Sequence, residues 1–377
     1  PEAGPVHLNA PFRDPLPPLE NETAKSLVGA IHEDFFAHLE AAPPDITSRA
    51  VQRPTSARGL IVAGAYAAPD PEKYATALTQ LATTLGWPVL VDVLSPARHH
   101  PLPNVHRVSA YDAPITTPRG SWAAADVYKR HAGSWPTSKV LRSWLEQTQA
   151  ETLLITPSAA NRDALHARTR QLTLPVENIS AERGGVDDAY AKLWAKAEVA
   201  ARASLDGALE KIIENFEAKA AWLLARHLPA NTPLMVANSM PVRDLEYVWP
   251  ASDRRTQVYF SRGANGIDGT LSTALGIAHG NARPAVLLTG DLALLHDSNG
   301  FLLSPKLRGS LTIVLINNAG GGIFEHLPVA QFNPPFEEFF ATPQCVDFAQ
   351  LCAAHGVTHE LMRDWAHFSE RVAQLPD

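Results

Sequence analysis

Two polar segments, each placed at the end of an apolar run, carry the chemistry of this sequence. The run Ala285 to Leu288 leads into Thr289-Gly290-Asp291, and the run Leu311 to Ile316 leads into Asn317-Asn318-Ala319-Gly320-Gly321-Gly322. Asp291 and Asn318 stand 27 positions apart, which leaves room for a strand end, a covering helix and a parallel return strand. A right-handed crossover of that kind brings both side chains to one sheet edge. The set offers one carboxylate, one amide oxygen and a glycine-rich backbone, with no thiolate or imidazole. Such donors suit a hard cation such as magnesium, which takes six oxygens and commonly shares some with a bound phosphate. The pattern predicts a site for a metal diphosphate; the competing reading is an Asp and an Asn that merely cap their own loops at a sheet edge. No GxxxxGK[ST] phosphate loop and no well-placed GxGxxG are present, so the commonest rival nucleotide sites have no support.

The elements that must position these groups follow from the hydrophobic pattern. From Leu60 short apolar runs alternate with helical stretches: Leu60 to Ala63, a helix through Tyr74 to Leu85 closed by Gly86, Val89 to Val91, a helix from Thr137 to Thr148, and a strand from Thr152 to Thr156. That rhythm predicts a parallel sheet with covering helices. A stretch rich in Ala, Lys and Glu from Asp187 to Leu228 reads as two connector helices. A second α/β unit begins at Pro233 to Ala237 and adds strands at Gln257 to Ser261, Ala285 to Leu288 and Leu311 to Ile316. These runs are apolar throughout, as central parallel strands buried on both faces tend to be. The expected architecture is α/β, with two doubly wound parallel-sheet domains: 19–186 a central domain, 187–229 the connector, 230–377 a diphosphate-binding domain. Residues 1–18, with six prolines, read as a linker, and a helix is expected over Asn21 to Leu39, followed by a proline-containing loop from Pro43 to Arg58. Ligands of open α/β sheets bind beyond the carboxyl ends of the strands. The loops 238–243, 262–269, 290–298 and 317–327 are therefore the place for chemistry.

Composition narrows the classes. The 377 residues are 45% apolar and 19% charged, a globular balance. The net charge of −7 gives no general attraction to phosphate backbones or anionic membranes, so nucleic acid is not an expected partner. Two cysteines, Cys345 and Cys352, are too few for a disulfide framework. No apolar stretch is long enough for a membrane span, and Pro1 to Asp14 lack the pattern of a signal peptide. The cytoplasm is the expected compartment. Cys352, His355 and His359 are set aside as a soft-metal site, because Gly356 should end the helix between them. His99 and His100 read as a solvated loop.

Gly290-Asp291, followed at this spacing by the second of two asparagines, resembles the cofactor-binding motif of the thiamine-diphosphate enzymes. Finer text is similar to the branch of that family serving menaquinone biosynthesis: Ala237 to Arg243, Ser261 to Gly269, Gly290 to Asp297, Asn317 to Pro328, with Pro136 to Lys139 in the central domain and Gly4 to His7 near the start. The resemblance spans nearly the whole chain. It implies thiamine diphosphate and magnesium, with manganese as a substitute, and a metal held by Asp291, Asn318 and the carbonyl of Gly320. Cofactor contacts would further come from Ile267, as an apolar wedge, and from Gly290, Leu292, Ala293 and Ile323. The implied reaction is decarboxylation of 2-oxoglutarate and addition of the succinyl unit to isochorismate, in which the cofactor does the covalent work. Arg243 and Arg262 match substrate arginines, since a guanidinium meets a carboxylate in a bidentate way; surface ion pairs are their plainer reading. Lys139 matches a position facing the same cleft, or is a solvated lysine at a helix start. Asn238 and Ser239 bind diphosphate or substrate, or cap the following turn. Ile323, Phe324 and Leu327 resemble an apolar pocket wall, or are plain core, as Ile267 could equally be.

Two positions depart from the pattern: Ala319 stands where an asparagine is usual, and Val140 where some members carry a second basic residue. Relative to the family, the chain reads as lacking a preceding pyrimidine-binding domain, whose glutamate assists the cofactor, and a final strand after Pro376-Asp377. It is therefore expected to be inactive by itself. The family resemblance further implies a homodimer or homotetramer for the full-length form. The alternatives are another carboligase or decarboxylase of the acetolactate synthase type, and a non-catalytic binding module that keeps the fold.

Overall fold

The computed structural model describes residues 49–51, 58–116, 128–148, 151–158, 160, 169–182 and 187–376. The linker over 1–18, the Gly4 to His7 segment, the helix expected over Asn21 to Leu39 and most of the loop from Pro43 to Arg58 lie outside the described residues.

After a short strand β1 (Arg49–Val51), six strands build the first large sheet: β2 (Gly59–Ala63), β3 (Val89–Val91), β4 (Arg107–Val108), β5 (Tyr128–Ala132), β6 (Thr152–Thr156) and β7 (Thr169–Thr173). All pairs are parallel, in the order β4-β3-β2-β5-β6-β7. Strand β8 (Ile179–Ala181) returns to pair with β1. Side chains alternate between the two faces. Ile61, Ala63, Val89 and Val91 meet Tyr74, Leu78, Leu81 and Leu85 of helix α1 (Pro71–Leu85). Leu60, Val62, Leu90 and Val108 meet the other layer, which includes Leu141 and Trp144 of α4 (Lys139–Gln147) and Trp194 of α5 (Asp188–Lys211). Helix α1 starts where Asp70 accepts the Lys73 N–H at 3.0 Å and stops where Gly86 turns left-handed at φ 67.

The connector continues from α5 into α6 (Glu217–His227), eight of whose residues, Ala218 to Ala225, are buried. It leads to the second sheet, made of β9 (Pro233–Val236), β10 (Gln257–Phe260), β11 (Ala285–Gly290) and β12 (Leu311–Ile316). The order is β10-β9-β11-β12, again all parallel. One face packs Leu234, Val236, Val286 and Leu288 against α6, α7 (Met240–Val248) and α11 (Trp365–Ala373). The other packs Met235 and Leu287 against α8 (Thr270–Asn281), α9 (Asp291–His296) and Phe348 of α10 (Phe348–Ala354). The chain is thus α/β, with two large parallel sheets covered on both faces. The second sheet reverses direction between β9 and β11, which opens a crevice at their carboxyl ends.

The two units are joined through a buried polar seam. His99 and His100, read above as a solvated loop, are 1% and 6% exposed. The reason is Pro96, which starts a single helical turn, α2 (Pro96–His99), capped by Ser95; the turn carries both rings inward. Arg98, on the same turn, is fully buried. Its Nε donates to the Trp249 carbonyl at 2.9 Å, Nη1 to Val91 O at 2.5 Å and Nη2 to Glu246 O at 2.8 Å, and Nη1 lies 3.6 Å from the Glu246 carboxylate. Glu246 also accepts the Val93 N–H at 2.7 Å and the Tyr111 hydroxyl. Burial, reinforced by Asp92, pushes the Glu246 carboxyl up to about 8 against the pull of Arg98.

Removing one partner of a buried pair strands the other and costs about 3–5 kcal/mol. Arg98→Met should lower unfolding stability by about that much, and because both residues also serve backbone groups, the Arg98→Met/Glu246→Leu double variant should lose less than the sum of the two single losses; strictly additive losses would refute the coupling. His99 donates from Nε2 to Val93 O at 2.7 Å, and its Nδ1 is buried without a partner among the described residues, so a second proton would be an unpaired buried charge. Burial accordingly pushes its pKa down to about 3. The ordinary imidazole of the unfolded chain binds a proton near 6.5, whereas the folded one does not. This group's contribution is therefore full above that value and is lost as pH falls toward 3, by about 2 kcal/mol at pH 5. Urea unfolding at pH 7 and pH 5 should show a smaller loss for His99→Gln; identical losses would remove His99 from the account.

Candidate functional site

The site grows from the register of β11 and β12. Gly290 is paired with Ile316, so Asp291 and Asn317 emerge side by side where both strands end. Asp291 is 2% exposed. One carboxylate oxygen accepts the Gly320 N–H at 2.9 Å and the Gln344 amide at 3.1 Å, and the other accepts the N–H of Leu292 at 2.6 Å. The two strand tips thus touch through a hydrogen bond. The glycine run is closed over by a later segment, with the Gly321 N–H on Ala341 O at 2.6 Å and the Gln344 N–H on Ala319 O at 3.1 Å. At Gly320, with φ 153, a Cβ would come 2.5 Å from Ala341 O, so only glycine fits. Asn318 is exposed, and its Nδ2 donates to Oε1 of Glu217, the first residue of α6, at 2.9 Å.

The donor set fits a hard cation. The Asp291 carboxylate, the Asn318 amide oxygen and the Gly320 carbonyl are all oxygen, and they lie on adjacent strand ends. A Cβ built at Gly290 meets nothing within 4 Å, so a ligand has open backbone to approach there. Among the described residues no group of three His, Cys, Asp or Glu is placed to hold a metal. Cys352 is buried in α10, the His355 ring packs 5.4 Å from that of Phe301, and the chain turns at Gly356 before the exposed His359.

The facing loops follow β9 and β10. Asn238 is 3% exposed; its Nδ2 donates to Ser261 O and Gly266 O, both at 2.8 Å, and its Oδ1 accepts from Arg262 at 3.0 Å. Its amide is engaged by protein at both ends, so it fixes the loops to each other. Ser239 has φ 71 and ψ −136, a conformation L-residues seldom adopt, and its carbonyl accepts from Arg243 at 2.5 Å. Burial lowers the pKa of both guanidinium groups. Arg243 lowers that of Arg262 further, and Arg142 that of both. Arg142 was not anticipated from sequence, although it follows Lys139 by three positions on α4 and so shares its face. Lys139 itself is exposed at the first position of α4. The preceding segment is held by Asp92, which accepts the Thr137 N–H at 2.6 Å, and by Asp112 of α3 (Asp112–Thr116), which accepts the Ser138 hydroxyl at 2.7 Å.

The apolar candidates divide by burial. Ile267, Leu292, Ile323 and Phe324 are half-buried, Ala293 is 4% exposed and Leu327 is 36% exposed. Ile323 and Phe324 sit on a 3₁₀ turn, Gly322–His326, where the Phe324 ring stands edge-on to Phe340 at 5.8 Å. Gln344 and Glu217 were also missed. They lie 53 and 101 positions from the residues they contact, and no local pattern points to either.

Comparison with known proteins points to one family. The family described as "Middle domain of thiamine pyrophosphate" matches residues 32–236, and that described as "Thiamine pyrophosphate enzyme, C-terminal TPP binding domain" matches residues 244–375. Three curated proteins named 2-succinyl-5-enolpyruvyl-6-hydroxy-3-cyclohexene-1-carboxylate synthase are similar to all of this chain. That of Nostoc sp. (strain PCC 7120 / SAG 25.82 / UTEX 2576) is 46% identical over 388 residues, which cover 66% of its own length. That of Synechococcus sp. (strain JA-3-3Ab) is 45% identical over 399 residues, 66% of its length, and that of Microcystis aeruginosa (strain NIES-843 / IAM M-2473) 42% identical over 382 residues, 67% of its length. The chain spans about two thirds of the length of these relatives.

Ala319, the departure noted in the glycine run, has φ 62. A left-handed alanine costs about 1–2 kcal/mol, and asparagine tolerates that region better. Ala319→Asn should raise stability by about 0.5–1 kcal/mol, read as a higher urea midpoint. A lower midpoint would show that the methyl group is needed where it is.

Proposed function

Because the chain belongs to the thiamine pyrophosphate enzyme family, we propose that the tips of β11 and β12 hold the metal diphosphate end of thiamine diphosphate and that the protein joins the succinyl unit of 2-oxoglutarate to isochorismate. The observation that carries this reading is the contact of the Gly320 N–H with the Asp291 carboxylate, at 2.9 Å, which unites the two halves of the motif. Asp291, Asn318 and the Gly320 carbonyl would hold magnesium, or manganese in its place. When bound, the cofactor supplies the carbanion chemistry of decarboxylation and carbon–carbon bond formation.

The protein's own groups bind and orient. Arg243 and Arg262 have no carboxylate partner among the described residues, and with Arg142 they form a cationic cluster that suits a substrate with more than one carboxylate. That cluster favours 2-oxoglutarate over pyruvate, and so this reading over one of the acetolactate synthase type. Asn238 holds the Arg262 loop in place, Ser239 offers its hydroxyl at the strand end, and Lys139 adds charge from the central unit. Ile267, Ile323, Phe324 and Leu327 form the apolar wall of the cofactor pocket, with Gly290, Leu292 and Ala293 at its diphosphate end. Phe332 and Phe339, 59% and 68% exposed, support assembly of copies of the protein into a homodimer or homotetramer. No helix among the described residues is long and apolar enough to cross a membrane. The free cysteines fit the cytoplasm, the compartment assigned here.

Calorimetric titration of thiamine diphosphate should give heat that depends on magnesium in the unsubstituted chain and is absent in Asp291→Ala. Addition of 2-oxoglutarate should raise the thermal midpoint more than pyruvate does, an advantage lost in Arg243→Ala. Cation-independent heat, or equal shifts by the two acids, would overturn the cofactor and substrate assignments respectively.

A further inference from the structure

Asn318 lies on an exposed loop, yet its amide is clamped from one side. The Nδ2 group donates to Glu217 Oε1 at 2.9 Å, and a Cβ at Gly322 would come within 2.8 Å of the same nitrogen. A carboxylate only accepts hydrogen bonds, so the end of the amide facing it must be the nitrogen. The amide is planar, and fixing its nitrogen turns its oxygen to the other side. That oxygen has no hydrogen-bond partner among the described residues.

Glu217 is itself unusual in its company. No Lys or Arg pairs with it among the described residues, and the buried Asp244 of α7 lies within electrostatic reach of it. It opens α6, whose following eight residues are buried, so the carboxylate is held on a rigid element. An acidic group so placed gains from positive charge bound nearby.

We propose that Glu217 is the positioning residue for the metal: by accepting from Nδ2 it selects the one of two equally shaped amide orientations in which Asn318 presents oxygen, and not N–H, to the cation. This rests on the assignment of Asn318 as a metal ligand made above. Without Glu217 the amide turns freely, and half of its orientations offer a donor where an acceptor is required. Groups that orient a metal ligand in this manner typically contribute 10–100-fold to metal affinity.

The test is manganese binding to the 377-residue chain in the presence of thiamine diphosphate, read by electron paramagnetic resonance of the free ion, for Glu217→Ala and Glu217→Gln in two backgrounds. With Asn318 intact, Glu217→Ala should weaken binding about 10–100-fold and Glu217→Gln less, since glutamine can still accept. In an Asn318→Asp background the ligand has two equivalent oxygens and no orientation to select, so Glu217→Ala should cost nothing or improve binding. Equal loss in both backgrounds would show that Glu217 acts only as a nearby negative charge, and no loss with Asn318 intact would show that it does not act at all; either result overturns the inference while leaving the site standing. Absence of cofactor-dependent manganese binding in the unsubstituted chain overturns the site itself, and this inference with it.

Discussion

Everything in the site depends on the parallel register of β11 and β12, in which Gly290 stands opposite Ile316. That register is fixed by apolar burial on both faces of the sheet. Leu287 and Leu288, on opposite faces, are 0% and 1% exposed, and sliding the strand by one residue would exchange them along with every neighbour. Core packing therefore sets the position of Asp291 relative to the glycine run. The 2.9 Å contact between its carboxylate and the Gly320 N–H is a consequence of hydrophobic fit several residues away.

The second constraint is the seam between the two units, which locates α7. The inner end of that helix is gripped from the central unit and the connector: Arg98 binds the carbonyls of Glu246 and Trp249, and Arg202 of α5 binds that of Val248 at 2.8 Å. The outer end carries Ser239 and Arg243 into the crevice. A helix of nine residues is short enough that holding one end fixes the other. The strained Ser239 backbone is therefore maintained by packing on a buried polar cluster.

Much of the architecture was legible in the sequence because buried parallel strands are written as uninterrupted apolar runs. β2, β3, β6, β9, β11 and β12 could be read in this way, as could α1 with its closing glycine. β5 and β7 could not: Tyr-Lys-Arg-His-Ala and Thr-Arg-Gln-Leu-Thr contain too few apolar residues to signal a strand, and only pairing within the sheet, β5 between β2 and β6 and β7 beside β6, reveals them. The inward turn of His99 was hidden for a related reason, since a single helical turn has no periodicity to detect. Asp291 and Asn318 stood out as candidates through local spacing, and Gly320 through the resemblance to the family motif. Glu217 and Gln344 were invisible because their relation to the motif exists only once the chain has folded.

The residue types in the site follow from the polarity of the groups around them. Asp291 is surrounded by donors, the N–H groups of Leu292 and Gly320 and the amide of Gln344, so the position requires a group that accepts on both oxygens. An amide there would turn one donor against another. At Asn238 the demand is mixed: two carbonyls require a donor and Arg262 requires an acceptor. A carboxylate there would repel both carbonyls. Asn318 is the intermediate case, its donor end taken by Glu217 and its acceptor end without a partner among the described residues. Three side chains of almost one shape are thus sorted by how many hydrogen atoms each can offer.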